Sequence, residues 1–358
     1  MRATIRAAIT AGFVVLAVAI GLTARTLYLF GVLTPVTPAF AGKCSAIFGI
    51  SGAEDIAIDE KLGVAFVSAF DRRARLSGKS AAQDGLYVLT LAGAPTLKKL
   101  AGTPSDFHPH GISLFRGPDD ALTLIAINHR ADGSSSVDSF ALVNEGGALR
   151  LREIGSIQGG ALISPNAVAA VDRDRFYVAN DHASRTQLGR TLDDLLVLPR
   201  ANILYFDGTL FREVATGLNF PSGLALSPDG RYLYVSEAFT RRLDTYARQE
   251  LSGALERVAT LAIASNLDNL RFDAAGHLWV ASHPKALAMA QFRSDAAKPA
   301  PSEIFEVTLE NDIPKAATIV YADGGAEIGG ASVAAVTGRR MLIGSPLDDK
   351  LLDCTMAP

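Results

Sequence analysis

The sequence has 358 residues, enough for two ordinary domains or for one large all-β domain. Its 34 lysine and arginine residues stand against 37 aspartate and glutamate residues, for a formal net charge of -3 at pH 7, and no basic run stands out. This charge balance argues against nucleic acid as a partner.

The amino-terminal segment differs in composition from the rest of the chain. Arg2 and Arg6 precede an uncharged stretch over residues 7–24, which has the length and flanks of a signal peptide or a signal anchor. A small-x-small cleavage motif at residues 39–41 lies far beyond this stretch, which favours a retained anchor. A buried helix of the fold is the alternative. The segment predicts export, to a periplasmic, other extracytoplasmic or extracellular location, with the membrane as a partner.

We expect two parts in the chain: a leader at residues 1–42 and a folded domain at residues 43–358. The two cysteines, Cys44 and Cys354, lie near the two ends of that domain. Because export implies an oxidising compartment, one disulfide joining the ends is the favoured interpretation. Two unrelated buried thiols are the alternative.

A β-hairpin pattern recurs through the domain: a polar pair, alternating apolar positions, a short turn and a second alternating strand. The six units begin at Glu54, His110, Asn166, Ser222, Asp268 and Ala331. The spacing is regular, and the residues between units suffice for two more strands each. We therefore predict an all-β fold, a six-bladed β-propeller. A TIM barrel lacks the required helical runs, and two packed β-sandwiches leave the even spacing unexplained.

Polar residues mark one end of each predicted hairpin. In an antiparallel hairpin, the start of the first strand and the end of the second lie at the same end of the sheet. If the first strand of each blade lines the axis, the six strand starts meet at one mouth of the central channel. The ends of the second strands bring further polar side chains to the same face: His129, Asp181, His182, Glu237 and His283.

Oxygen donors dominate this predicted mouth. Glu54, Asp268, Asn166 and Asn269 offer two carboxylates and two amides, a set that suits Ca²⁺. The histidines lack the spacing of common zinc motifs. The alternative is that these side chains hydrogen-bond strand ends and fill a wet channel. A calcium ion with open coordination positions would polarise the carbonyl group of an ester or lactone.

Two histidines are candidates for proton transfer. His110 heads an axial strand and is the predicted general base, and His129, at the end of the same hairpin, is placed to orient it. Structural histidines are the alternative. The sequence contains no G-x-S-x-G elbow, which argues against serine hydrolase chemistry, and no G-x-G-x-x-G between a strand and a helix, which argues against nucleotide binding.

From about Cys44 to Cys354, the chain resembles the serum paraoxonase/arylesterase family of six-bladed propellers, which are calcium-dependent lactonases and aryl esterases. The resemblance rests on "GAEDIAI", "HPHGISLF", "NHRADGSSSVDSF", "RFYVANDH", "SPDGRYLYVSEA", "LDNLRFDAAGHLWVASHP" and the two cysteines. It implies that a catalytic calcium is ligated by Glu54, Asn166, Asp268 and Asn269. It also implies a dyad of His110 and His129, a Cys44–Cys354 disulfide, a hydrophobic amino-terminal anchor, and a second, structural calcium that Asp55 helps to hold.

The chain departs from the family pattern at two positions. Ser222 stands where the family has an asparagine ligand, and a hydroxyl is a weaker calcium ligand than an amide oxygen. Ala167 stands where the family has an aspartate, which removes a carboxylate from the second calcium site. We expect that second site to be weakened or empty.

The predicted function is calcium-dependent hydrolysis of lactones or aryl esters, with small-molecule substrates. The alternative is a non-catalytic exported propeller that binds a ligand or protein at the calcium-bearing mouth, an interpretation favoured by Ser222 and Ala167. A third, less favoured alternative is an enzyme of the gluconolactonase or strictosidine-synthase type on the same scaffold.

Overall fold

The computed structural model describes residues 2–79 and 82–358; Met1, the first residue of the predicted leader, lies outside these ranges. The described chain starts with α1 (Arg2–Leu29), β1 (Ala39–Phe40) and β2 (Gly42–Phe48). The first blade then contains β3 (Ala53–Asp59), β4 (Val64–Ala69), α2 (Arg72–Leu76), β5 (Gly85–Thr90) and β6 (Leu97–Lys99). The second contains β7 (Pro109–Arg116), β8 (Leu122–His129), β9 (Ser135–Glu145) and β10 (Ala148–Gln158).

The remaining blades follow the same plan. The third contains β11 (Pro165–Ala170), β12 (Phe176–Asn180), α3 (Gln187–Leu195), β13 (Ala201–Phe206) and β14 (Phe211–Leu218). The fourth contains β15 (Pro221–Leu226), β16 (Tyr232–Glu237), β17 (Arg242–Arg248) and β18 (Leu255–Ala262). The fifth contains β19 (Leu267–Phe272), β20 (Leu278–Ser282), α4 (Ala286–Ser294), β21 (Ser302–Glu310) and β22 (Ile313–Asp323). The sixth contains β23 (Val333–Thr337), β24 (Arg340–Gly344) and β25 (Lys350–Met356).

These strands form six antiparallel sheets, as the hairpin repeat predicts. The innermost strands are β3, β7, β11, β15, β19 and β23. Strand β2 completes the sixth sheet beside β25, and β1 adds a short fifth strand to the fifth sheet. The six-bladed propeller prediction is therefore confirmed.

The ring is closed by the pairing of the two ends of the domain. Strand β2 runs antiparallel to β25, and Cys44 lies directly opposite Cys354 in the register, with their Cα atoms 4.0 Å apart. A disulfide joins the two residues, which confirms the predicted bridge. The bridge therefore covalently fastens the first strand of the closing sheet to the last.

The blades are held together by apolar side chains that lie between neighbouring sheets. Strand β4 is buried along its whole length because both of its faces pack against other sheets. Tyr177 and Tyr205 pack with ring centroids 4.8 Å apart, and the Tyr177 hydroxyl donates a hydrogen bond of 2.8 Å to the carbonyl of Gly253 in the next blade. Such contacts fix the spacing of the inner strands around the axis.

Helix α1 differs from the rest of the fold. Within it, residues 4–29 have a mean hydropathy of 2.3, which is apolar enough and long enough to cross a membrane. The described side chains from Thr4 to Arg25 are exposed, in contrast to the alternative of a buried helix. Together with the disulfide, this apolar helix near the amino terminus suggests an exported protein. The domain boundary after residue 42 stays a prediction.

The carboxyl-terminal end of α1 is fixed to the propeller. Thr26 donates a hydrogen bond of 2.9 Å to the carbonyl of Leu195, and Asn266 donates one of 2.8 Å to the carbonyl of Leu29. The ring of Phe30 packs against that of Phe239, with centroids 5.0 Å apart. The end of the apolar helix therefore lies at the face of the propeller that carries α3.

Candidate active site

Each of five inner strands has a β-bulge or similar irregularity near its first polar residues, which changes the direction of their side chains. The register between the inner strand and its partner shifts at the positions that the sequence singles out, between Ala53 and Asp55, Pro109 and Ile112, Pro165 and Ala167, Pro221 and Gly223, and Leu267 and Leu270. An extra residue at a bulge is freed from regular pairing, so its side chain can turn toward the axis. The predicted site residues therefore lie in or beside these bulges.

Two glycines allow the inner strands to converge there. A Cβ atom on Gly111 would lie 2.5 Å from the carbonyl oxygen of Asn166, and one on Gly223 would lie 2.5 Å from that of Asp268. No side chain fits at such distances. Glycine after His110 and after Ser222 is therefore required for the close approach of neighbouring inner strands.

A cavity of about 360 Å³ opens at this end of the axis. Its polar lining includes five of the predicted site residues, Glu54, His110, Asn166, Ser222 and Asp268. Asn269 adjoins them through Glu54, and His129 lies beside His110 in an adjoining cavity. The structure thus brings the predicted catalytic and metal-binding side chains together.

The candidate calcium ligands present unused oxygens. Glu54 Oε1 accepts a hydrogen bond of 2.9 Å from Asn269 Nδ2, whereas Glu54 Oε2 is buried with no hydrogen-bond partner. Asn166 Nδ2 donates a 3.0 Å hydrogen bond to Asp181, and Asn166 Oδ1 is likewise buried without a partner. A buried polar atom without a partner is costly, so each of these oxygens fits a cation.

Burial disfavours the ionised forms of both carboxylates at the site. Burial raises the pKa of Glu54, and the positive charge of Arg72 and the hydrogen bond from Asn269 oppose it. Burial likewise raises the pKa of Asp268, opposed by its hydrogen bond of 2.6 Å with His283. In the described ranges, no cluster of three or more His, Cys, Asp or Glu side chains is arranged around a metal position. The candidate set differs from such clusters because half of its principal ligands are amides.

Ser222 makes a different contribution from the other candidate ligands. Its hydroxyl donates a hydrogen bond of 2.9 Å to the carbonyl of Leu267 and lies 3.4 Å from the hydroxyl of Ser236. The side chain is buried and lines the cavity. Its hydrogen is committed to the backbone, so only its oxygen lone pairs can face a ligand.

His110 and His129 form a hydrogen-bonded pair. His110 Nδ1 lies 2.8 Å from His129 Nε2, and His129 Nδ1 lies 3.2 Å from the hydroxyl of Ser135. His110 Nε2 is 3.5 Å from Glu54 Oε1, beyond a good hydrogen bond. The two contacts allow two tautomer patterns; in one of them Nδ1–H of His129 donates to Ser135, Nδ1–H of His110 donates to His129, and His110 Nε2 keeps a free lone pair.

Both rings are neutral near pH 7. Burial lowers the pKa of His110 to about 3, and the charge of Arg72 acts in the same direction. Burial, His110 and Arg72 together hold the pKa of His129 well below 6.5. A neutral His110 with a free Nε2 is able to accept a proton from a water molecule in the cavity.

A second histidine cluster supports the site from the third blade. His182 lies between Asp181 and Asp194, at 2.7 Å and 2.9 Å. Burial lowers the pKa of His182, but these hydrogen bonds outweigh it and raise the pKa to about 9. Burial raises the pKa of Asp181, yet the hydrogen bonds from His182 and Asn166 hold it well below its usual value. The sequence places Asp181 and His182 at this face but assigns them no role.

Glu237, which the hairpin pattern brings to the same face, serves another purpose. It does not line the cavity; instead its carboxylate accepts hydrogen bonds of 2.9 Å and 2.6 Å from Arg242 and one of 2.7 Å from the amide of Asn219. Its position at a strand end therefore does not make it part of the site.

Several cavity residues were not found from the sequence. Arg72 comes from the short helix α2, and its Nη2 is buried without a hydrogen-bond partner. The apolar wall comes from the residue that follows α1, from α4 and from the loops beside the fourth blade, and includes Phe30, Phe220, Phe239 and Leu287. Phe220 lies two residues before the hairpin predicted to begin at Ser222, but nothing in the local pattern indicates which way its ring turns.

Asp55, adjacent to Glu54, has no unused oxygen. Its Oδ1 accepts a hydrogen bond of 2.9 Å from the amide of Ile56, and its Oδ2 accepts one of 2.8 Å from the amide of Ile112. The Oδ2 atom also lies 2.5 Å from Nη2 of Arg271. The carboxylate proposed for a second calcium is therefore already occupied by protein donors.

Comparison with known proteins identifies the family of the chain. A family model described as Arylesterase matches residues 93–356. The chain is 31% identical to serum paraoxonase/arylesterase 1 of Rattus norvegicus over 320 residues, covering 87% of this chain and 88% of the relative. It is 30% identical to the Homo sapiens protein of that name, covering 87% and 89%.

Solved structures show the same fold. A luciferin-regenerating enzyme matches with a TM-score of 0.56 at 12% identity, covering 88% of this chain and 95% of that chain. A glucose dehydrogenase matches with a TM-score of 0.54 at 12% identity, covering 88% and 99%. At these identities the likeness concerns the propeller alone.

The family match identifies the chain as an ester hydrolase, and the structure shows that it is built on a six-bladed propeller. The chain belongs to the arylesterase family. This membership favours an enzyme over the non-catalytic binding propeller.

Proposed function

We propose that the chain is a calcium-dependent hydrolase of lactones or aryl esters, with its reaction centre in the cavity at the propeller mouth. The observation that carries the proposal is the pair of buried, unpartnered oxygens on Glu54 and Asn166, which face the same cavity as the neutral His110. Unpaired oxygens beside an unprotonated imidazole suit a bound cation next to a general base.

The candidate ligands of the ion are Glu54, Asn166, Asp268 and Asn269, with the Ser222 oxygen as a weaker fifth. When bound, calcium supplies the positive charge that polarises the substrate carbonyl group. The hydrogen bond from Asn166 to Asp181 turns the amide oxygen of Asn166 away from Asp181. The bond between His283 and Asp268 restricts that carboxylate in the same way.

His110 is the proposed general base. Its free Nε2 accepts a proton from water, while its Nδ1–H donates to His129 and holds the ring in position. His129 in turn is oriented by Ser135 and shares the developing positive charge. The aromatic wall excludes bulk water and packs against the apolar part of a substrate.

The amino-terminal helix is proposed to tether the exported enzyme to a membrane. Its apolar residues are exposed over a length sufficient to span a bilayer. Phe30, which follows the helix, lines the cavity, so the proposed anchor and the reaction centre lie on the same face of the propeller.

The proposal is tested by hydrolysis of phenyl acetate and of γ- and δ-lactones by the full chain, with EGTA and after calcium is restored. We expect turnover that EGTA abolishes and calcium returns, and Asp268→Asn should remove it.

The matched control is Glu303→Gln. Glu303 is a buried acid of the same blade that binds Ser265 and does not line the cavity, so this variant should keep its turnover. No turnover of any substrate by the folded, calcium-loaded protein would contradict the proposal, as would full activity in EGTA.

A further inference from the structure

A guanidinium group lies across the propeller axis below the mouth. Arg271 extends from β19 and donates hydrogen bonds of 2.8 Å to the carbonyl of Ile56 in β3 and 2.8 Å to the carbonyl of Ile112 in β7. Its Nη2 also pairs with the Asp55 carboxylate at 2.5 Å. One side chain therefore joins the inner strands of the first, second and fifth blades.

The oxygen atoms that surround this guanidinium are of the kind that ligate a metal cation. A buried carboxylate and two backbone carbonyl oxygens converge from different blades, which is the chemistry that binds a hard cation. Here the cation is part of the chain. Arginine keeps its charge at all ordinary pH values, and its planar N–H groups satisfy several acceptors at once.

The charge count leaves no place for a divalent ion as well. Among the described groups that hydrogen-bond to or pair with Arg271, Asp55 is the single carboxylate. Ala167 follows Asn166 as Asp55 follows Glu54, so the corresponding position on β11 has no second acid. A calcium ion added beside Arg271 would set three positive charges against the one carboxylate in contact with it, and the neighbouring Glu54 is a candidate ligand of the ion at the mouth.

We propose that Arg271 is a built-in cation that takes the place of a second, structural metal ion on the propeller axis. The inner strands are tied together by a side chain, and the protein needs no ion below its mouth. This inference does not depend on hydrolase activity, because it concerns how the blades are held.

The first test is calcium binding by the wild-type protein, measured by equilibrium dialysis after treatment with EGTA. We expect no more than one calcium ion per chain. Two ions per chain would overturn the inference and leave the proposed hydrolase untouched, whereas absence of turnover has no bearing on this measurement.

The second test removes the guanidinium. In EGTA, Arg271→Ser should lower the Tm by about 8 °C, because it leaves Asp55 buried without its partner charge. The matched control is Arg340→Ser, which breaks the pair of Arg340 with Asp353, remote from the axis; the two arginines are similarly exposed, whereas Asp353 is more exposed than Asp55. Calcium bound at the mouth stabilises every variant, so it should raise the Tm of Arg271→Ser by more than it raises the Tm of the wild type or of Arg340→Ser.

The third test rebuilds a metal site. Arg271→Ser combined with Ala167→Asp should bind one calcium ion more than the wild type, and calcium should raise its Tm above that of the single variant. A folded double variant that binds no additional ion would contradict the inference. If the variants do not fold, the calcium stoichiometry of the wild type alone decides.

Discussion

Two adjacent acids on one bulge, Glu54 and Asp55, occupy contrasting environments. Both are buried, with 2% of each residue exposed, and burial raises the pKa of both. Glu54 leaves one oxygen without a partner beside the cavity. Each oxygen of Asp55 accepts a hydrogen bond from a backbone amide, and Oδ2 of Asp55 also pairs with Arg271. The partners, and not the residue type or its burial, distinguish a candidate ligand from a structural acid.

The same contrast extends to the groups around them. At the mouth of the propeller, Asn166 Oδ1, Glu54 Oε2 and Arg72 Nη2 are buried without hydrogen-bond partners. Deeper along the propeller axis, the contacts of Asp55 and Arg271 join the blades directly. Because the three unsatisfied groups at the mouth belong to residues that line one cavity, they suit a site completed by a ligand.

The largest expected effect on activity comes from replacing Glu54, the acid with an unpartnered oxygen. We expect Glu54→Gln to lower kcat/KM for phenyl acetate on the order of 10³-fold, because it removes a ligand charge from the reaction centre while keeping the shape of the side chain. Steady-state kinetics and calcium titration measure it. Asp55→Asn is the control: if it lost as much activity and calcium affinity as Glu54→Gln, the two acids would not differ in role.

The next effect concerns the base. His110→Gln should lower kcat/KM by about 10²-fold to 10³-fold, since a positioned general base contributes this much. The pKa of His110 is lowered to about 3, so the neutral ring persists well below neutral pH. The wild-type profile should therefore show no inflection near pH 6.5. A loss of kcat/KM centred there would exclude His110 as the proposed base.

Asp55 should matter chiefly for stability. Asp55→Asn leaves the Arg271 charge without its carboxylate, and we expect it to lower the free energy of unfolding by about 3 kcal/mol. Chemical denaturation in EGTA, followed by circular dichroism, measures the loss. Asp353→Asn, which breaks the outer pair with Arg340, is the control and should cost less. A neutral effect of Asp55→Asn would show that the axial pair contributes no net stability.

The smallest expected effect is a pH dependence from His182. Its folded pKa of about 9 lies above the ordinary value of 6.5, so its stabilisation is complete below pH 6.5 and is lost as the pH rises through about 9. This shift in pKa corresponds to at most about 3 kcal/mol, and because solvent screens the partly exposed partner Asp194, we expect the free energy of unfolding to fall by about 2 kcal/mol across this window. His182→Gln should remove that slope, and an unchanged slope would assign it to other groups.

Much of the fold was readable from the sequence because its signals are local. Period-2 alternation and turn residues repeat in each hairpin, so the number of blades and the polar strand ends could be predicted. The cysteine positions likewise indicated the bridge. Even the bulges left a trace, since Gly111 and Gly223 follow candidate site residues and permit close approach of the next inner strand.

The sequence by itself determined the propeller, its closure and the polar residues at one mouth, because strand pattern and hairpin direction specify which end of a sheet each residue occupies. Only the tertiary structure decided which of those residues keep unpaired oxygens and that Arg72 and Phe30 enter the cavity. It also decided that Arg271 spans the axis. The reason is distance along the chain: Arg271 meets Asp55 and Ile112 only after six separate sheets have closed into a ring. No local pattern records a contact that depends on that closure.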